Sequence, residues 1–243
     1  MLKDARVLVT GGTTGIGRAI VKSLAGQGAR VVTFGRDRQA IDDALGSFEG
    51  LAGEVHGFAA DLGTTEGIEA IFREVDATLG GLDILVSNAA LGAEPIDAMD
   101  DEAWRYVVDV NLKGAMACTR GALKRLEANG DAGGQIVIVG SISAQIHAPG
   151  ESVYSATKAG LLAFAETLRK EVAERGIRVS LVEPGTVGTD MQSASPEEQR
   201  EQIAEQTMLQ AEDIAGAVEF IVTRPSRVDV VMMRVEPRLQ ELP

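Results

Sequence analysis

The sequence predicts an α/β fold, a parallel sheet covered by helices on both faces. Three observations carry that expectation. Apolar runs alternate with helix-period patterns along the whole chain. Most of the runs are continuous and β-branched, as strands buried on both faces should be. Aromatics are only 4% while glycine is plentiful at 28 residues. That mix suits aliphatic strands joined by tight turns better than an aromatic-rich β-sandwich.

The elements follow in order. The first strand is RVLVT (6–10), and the glycine-rich stretch after it opens a helix over 15–27. RVVTF (30–34) leads to a helix over 37–48, and VHGFAA (55–60) to one over 65–79. LDILVS (82–87) precedes a long helical pattern over 100–128. QIVIVG (135–140) precedes another over 152–175. RVSLVE (178–183), a helix over 211–223 and VDVVMMRV (228–235) complete the series. Between them, 186–210 is rich in Gly, Ser, Thr, Glu and Gln and reads as a loop with a short helix, a lid over a site. Nothing divides the chain, so 1–243 is taken as a single domain.

Hydrophobic residues make up 45% of the 243, enough for a sizeable core. The net charge of −13 argues against a nucleic-acid binder. A single cysteine, Cys118, has no internal disulfide partner and points to a reducing compartment. With no run of 18 apolar residues and no leader ahead of the first strand, a cytoplasmic protein without a membrane partner is expected. His56 and His147 stand alone, so no metal site is expected.

Gly11, Gly15 and Gly17 fall where the first strand turns into the first helix. A tight turn needs φ > 0, a phosphate near the backbone leaves no room for a Cβ, and helix–strand packing needs a small residue. In a dinucleotide site the end of the second strand reads the ribose: an acid for a 2′-hydroxyl, an arginine for a 2′-phosphate. The chain has VVTFGRDR there, with Gly35 at the acidic position and Arg36 next. That favours NADP(H), with NAD(H) second. Further on, YSATK places Tyr154 four residues before Lys158, on one face of a helix. The pair alone would also suit an ordinary amphipathic helix face.

Taken together, TGGTTGIG (10–17), DL (61–62), SNAA (87–90), VNLKG (110–114), GSIS (140–143), YSATK (154–158) and EPGTVGTDM (183–191) resemble the short-chain dehydrogenase/reductases. The resemblance runs nearly end to end. It implies a doubly wound Rossmann fold with a seven-stranded sheet in the order 3-2-1-4-5-6-7. It implies a relay of Asn111, Ser141, Tyr154 and Lys158, with Ser141 thirteen residues before Tyr154. It implies a cofactor groove of Gly11, Thr13, Thr14, Gly15, Ile16, Gly17 and Arg36. Asp61 and Leu62 flank the adenine, and Asn88, Ala89 and Ala90 continue the groove. Pro184, Gly185, Val187 and Thr189 border the nicotinamide, with Tyr154 and Lys158 also touching the cofactor.

The chain departs from the family in places. Ala90 stands where a glycine is usual, and Thr14 where NADP(H)-preferring members often have a base. The tail VVMMRVEPRLQ resembles members ending in an RP-x-x-Q-like segment, among them clavulanate dehydrogenase-type reductases and NADP-dependent 3-hydroxy acid dehydrogenases. The implied chemistry is hydride transfer between nicotinamide and a small-molecule carbonyl or secondary alcohol. Tyr154 acts as general acid or base, Lys158 lowers its pKa, Ser141 bonds the substrate oxygen, and Asn111 holds a helix kink. The alternatives are a β-ketoacyl carrier-protein reductase, docking through Arg120, Lys124 and Arg125, and a catalytically idle NADP(H)-binding regulator. A homotetramer is implied through the helices at 100–128 and 152–175. Ser143, Gln145 and His147 are candidates to touch substrate, and Met191, Met208 and Leu209 predict a partly apolar pocket.

Overall fold

The computed structural model describes residues 2–130 and 133–240; Met1, 131–132 and 241–243 of the 1–243 span lie outside the described residues. Seven strands form one sheet: β1 (Arg6–Thr10), β2 (Arg30–Gly35), β3 (Val55–Ala59), β4 (Ile84–Ser87), β5 (Gly134–Val139), β6 (Ile177–Pro184) and β7 (Met232–Val235). All pairings are parallel and the order is β3-β2-β1-β4-β5-β6-β7. The order reverses between β1 and β4, which opens a crevice at the carboxyl ends of those strands.

The helices are α1 (Gly15–Gly26), α2 (Arg38–Phe48), α3 (Thr65–Leu79), α4 (Asp101–Val108), α5 (Ala115–Glu127), α6 (Ser152–Val172), α7 (Pro196–Ala204) and α8 (Ala211–Val222). Alternation along β1 explains why its sequence is apolar throughout. Val7 and Val9 join one core with Ile20 and Leu24 of α1 and Ile214 and Val218 of α8. Leu8 joins the other, with Ile71 of α3, Leu126 of α5 and Leu161 and Leu168 of α6. Each such aliphatic side chain contributes roughly 1.5–3 kcal/mol on burial. Helix starts follow local chemistry: Asp37 accepts from the Ala40 amide, Thr64 from that of Gly67, and Ser195 forms a capping box with Glu198.

Two predicted elements differ. The pattern over 100–128 is not one regular helix: Asp109–Gly114 is a π-helical turn between α4 and α5. Its cause is Asn111, whose amide group exchanges two hydrogen bonds with the Leu91 backbone, at 2.7 Å and 2.8 Å. That interaction holds the side chain across the cleft wall at the expense of regular helix geometry. The last strand covers only 232–235 of the expected 228–235. It is an edge strand, and Met232 on it is exposed.

Candidate active site

A cleft of about 500 Å³ runs along the carboxyl ends of β1, β2, β4 and β5. Gly11, Thr13, Thr14, Gly15 and Ile16 form one wall. Gly11 has φ +67°, in the left-handed region, as the tight turn demands. Gly17 lies behind the wall: a Cβ there would sit 2.0 Å from the Gly11 carbonyl oxygen. The N-cap of α1, Thr14, makes no side-chain capping bond, and the first turn carries no acid. The amides at this helix start are therefore left for a ligand, and the helix dipole favours an anionic one. Asn88 ties the end of β4 to the turn, donating to the carbonyls of Thr10 and Gly11 at 3.1 Å and 3.2 Å.

At the far end of the cleft, Arg36 donates to the Tyr106 hydroxyl at 2.9 Å, and that hydroxyl donates to Asp61 at 2.8 Å. Tyr106 lines the cleft beside Arg36, Asp61 and Leu62. Sequence reasoning missed it. The available signal was composition: the chain has two tyrosines, and both face this cleft. The position read as acid-less, Gly35, has a physical reason. A Cβ there would meet the Thr13 hydroxyl at 2.8 Å, so any side chain at 35 would force Thr13 on the cleft wall to shift. Asp37, the next acid, is committed to capping α2.

At the inner end, Ser141, Tyr154 and Lys158 converge. Ser141 follows β5 directly and its hydroxyl accepts from the Ser143 amide at 3.1 Å. Tyr154 and Lys158 come from the first two turns of α6. Lys158 is buried and donates to the Val139 carbonyl at 3.2 Å. Asn111 does not line the cleft. It is wholly buried behind it, with its amide nitrogen 3.4 Å from the Thr157 hydroxyl. Ala89, Ala90, Pro184, Gly185, Val187 and Thr189 all line the cleft.

The electrostatics correct one expectation. Tyr154 is pushed up to about 12: burial raises it most, a hydrogen bond from Ser141 pulls it back, and Glu151 raises it further. A net lowering is not what the site gives: burial outweighs the influences that favour the phenolate. The Lys158 ammonium lies 5.4 Å from the ring centroid, turned to the Val139 carbonyl, and burial pushes its own pKa down to about 8.

A second chamber of about 310 Å³ adjoins Ser141 and Tyr154. Ser143 lines it, but the other two candidates beside it do not. Gln145 donates to Glu183 at 3.2 Å, and His147 lies on the Ser143 carbonyl at 3.3 Å with its ring exposed. Of the three side chains expected to make the pocket partly apolar, only Met191 lines the chamber, joined there by Ile142 and Ile146; Met208 is buried in the interior and Leu209 packs against the core. Gln240, from the tail, closes one side, accepting from the Thr186 amide at 2.9 Å.

Residues 5–201 match the family model of the short chain dehydrogenases. Human dehydrogenase/reductase SDR family member 4 is 36% identical over 228 residues, 90% of this chain and 81% of its own length. The 3-oxoacyl-acyl-carrier-protein reductase FabG of Escherichia coli K12 is 34% identical over 224 residues, 89% of this chain and 88% of its own. A Burkholderia cenocepacia short chain dehydrogenase solved in complex with NADP superposes with a TM-score of 0.85 at 29% identity, covering 97% of this chain and 98% of that one. A 3-ketoacyl-(acyl-carrier-protein) reductase of Brucella melitensis complexed with NADH gives 0.88 at 26%, covering 98% and 99%.

Proposed function

We propose a function from one premise: the chain belongs to the short chain dehydrogenase family and is an oxidoreductase with a nicotinamide-dinucleotide site. Our reading is an NADP(H)-dependent reductase of small-molecule ketones, reversible as a secondary-alcohol dehydrogenase. One observation carries it. Ser141, Tyr154 and Lys158 meet at the inner end of a glycine-walled cleft, where it opens into a separate chamber.

The cleft suits the dinucleotide. The uncapped start of α1 and the Cβ-free wall at Gly11 and Gly15 take its phosphates, Asp61 and Leu62 its adenine, and Pro184 to Thr189 its nicotinamide end. Arg36 faces the ribose end with glycine, not a carboxylate, at 35, which supports the 2′-phosphate form. When bound, the nicotinamide supplies or accepts a hydride at the substrate carbon. The protein's own part is the proton. Ser141 donates a hydrogen bond to the substrate oxygen, and Tyr154 gives it a proton as negative charge develops. The phenol keeps its proton at neutral pH, as the donor in reduction must. Lys158 is the cation nearest the phenol and stabilises the phenolate left behind. Asn111 is a positioning residue, holding the 89–92 wall through Leu91.

The loop over 186–210 acts as a lid on this reading, supported by Val187, Thr189, Met191 and Gln192 on the cleft. A cytoplasmic homotetramer belongs to the same reading. Ala156 and Ala163 are exposed along α6, with Leu162 and Phe164 half-buried beside them, a face small and apolar enough to pack on a copy. A monomer by light scattering would contradict that part. A carrier-protein-linked ketone is the second reading, favoured by likeness to the E. coli reductase. Of its docking bases, Arg125 is already bound to Asp76 at 2.5 Å. The intact relay argues against an idle regulator.

The test is titration with NADPH and NADH, wild type against Arg36→Ala, followed by ketone-dependent NADPH oxidation in wild type and Tyr154→Phe. NADPH affinity should fall about 10- to 100-fold in Arg36→Ala, with NADH little changed. Oxidation should vanish in Tyr154→Phe. Equal binding of both cofactors, unaltered by the substitution, would defeat the NADP(H) assignment.

A further inference from the structure

The chamber beyond Ser141 and Tyr154 has a distinctive charge. Its polar lining consists of hydroxyls and amides, among them Ser143, Thr186, Gln192 and Gln240, together with one carboxylate, Glu151. No lysine, arginine or histidine lines it among the described residues. Glu151 accepts from the Ser143 hydroxyl at 3.1 Å, and Ser143 donates its amide to the Ser141 hydroxyl at 3.1 Å. The carboxylate is thus linked through Ser143 to Ser141, the group that holds the substrate oxygen.

The contrast with Glu183 is informative. That carboxylate is wholly buried nearby, but Arg234 meets it at 3.0 Å and Gln145 donates to both its oxygens. Glu183 is neutralised by the protein. Glu151 forms no ion pair among the described residues, and it opens on the chamber. Asp190, on the adjoining cleft, has the same sign. A substrate carboxylate here would face like charge with no cation in the chamber's own lining; Lys158, on the adjoining cleft, is turned to the Val139 carbonyl. An ammonium group would meet its only counter-charge.

From this, and resting on the ketone-reductase reading above, we infer that Glu151 selects the substrate: carbonyl compounds bearing a cationic amine are preferred over neutral ones, and carboxylates are refused. This runs against a hydroxy-acid substrate. Glu151 also immediately precedes α6, where an acid stabilises a helix start. A purely structural role would affect melting and leave selectivity alone, so the two roles separate by experiment.

The probes are cyclohexanones carrying, opposite the carbonyl, a trimethylammonium, a tert-butyl or a carboxylate group. The first two have the same shape and differ in charge. Each is measured for NADPH-dependent turnover and for binding by calorimetry, in wild type, Glu151→Gln and Glu151→Ala, with melting curves to confirm folding. The wild type should favour the cation over the anion by about tenfold or more in kcat/KM. Both variants should reduce that ratio to within about threefold. A preference for the anion, or a cation preference that persists in both variants, overturns the inference. So does failure of all three probes to bind. If none is turned over while calorimetry still ranks the cation first in wild type alone, the charge selection stands and the ketone-reductase reading falls.

Discussion

Replacing Lys158 by methionine should make the protein more stable while disabling it. The ammonium is 2% exposed and has one hydrogen-bond partner, the Val139 carbonyl. Burial lowers its pKa from 10.5 to about 8. At about 1.36 kcal/mol per pKa unit, keeping the charged form inside the folded protein at neutral pH costs roughly 3 kcal/mol. Methionine has a similar length and no charge. Leaving the Val139 carbonyl without that donor takes back about 1 kcal/mol. The net gain is about 2 kcal/mol, a rise in melting temperature of about 4–8 °C for a chain of this size.

The sign with pH is a sharper test. The folded protein releases the Lys158 proton before the unfolded chain does, so between about pH 8 and 10.5 the unfolded state binds more protons. Wild-type stability then rises with pH through this group, and the advantage of Lys158→Met should shrink across the same window. Cys118, pushed from 9.0 up to about 12 by burial, acts oppositely over an overlapping range. It is common to both proteins and cancels in the difference. Urea denaturation of both at several pH values gives that difference, and turnover should fall by about 100-fold or more. A variant less stable at pH 7, or a gap unchanged up to pH 10.5, would refute the reasoning.

Other expectations follow from named contacts. Tyr106→Phe removes the hydroxyl that joins Arg36 to Asp61, and NADPH binding by fluorescence titration should weaken about fivefold, more than NADH binding. In Asp83, burial opposes ionisation, but hydrogen bonds and charge from Arg6 outweigh it and hold the carboxyl below its ordinary value of 3.8. Its contribution is present above that pH and lost as pH falls through the lowered value. Asp83→Asn should therefore cost about 1 kcal/mol near neutrality, after discounting for exposure, with the difference closing in acid denaturation series below about pH 4.

Most of the fold was legible because the strands are buried on both faces and punctuated by glycine. Residues 6–10 and 65–79 match their predicted spans residue for residue, the second bounded by the Thr64 cap and a left-handed Gly80. The π turn was not legible as such. Its cause is a side chain bonding a backbone twenty residues away, which local periodicity does not register. The over-long last strand fails for the complementary reason: Val228, Val230 and Val231 look like strand core, but an edge strand leaves them without a neighbour on one side. At the site, the meeting of Ser141, Tyr154 and Lys158 followed from the family resemblance, and the glycine wall from its place between the first strand and helix. Three things were not legible: Tyr106, the charge of the chamber, and the direction of the Tyr154 shift. Each depends on what packs around a side chain and so on tertiary structure alone.

The π turn also lets a helix carry one residue more than its length requires. It takes about one residue more to complete a turn than the helix on either side, so α4 and α5 keep the directions of one continuous helix while their numbering is offset. Removing a single residue between 109 and 114 would let the helix run on regularly with both arms in place, and Tyr106 would keep its bond to Asp61. The loss would be local: without the bulge Asn111 would no longer be held out to Leu91. Length at this point is therefore a setting for one side chain, separable from the frame that carries it.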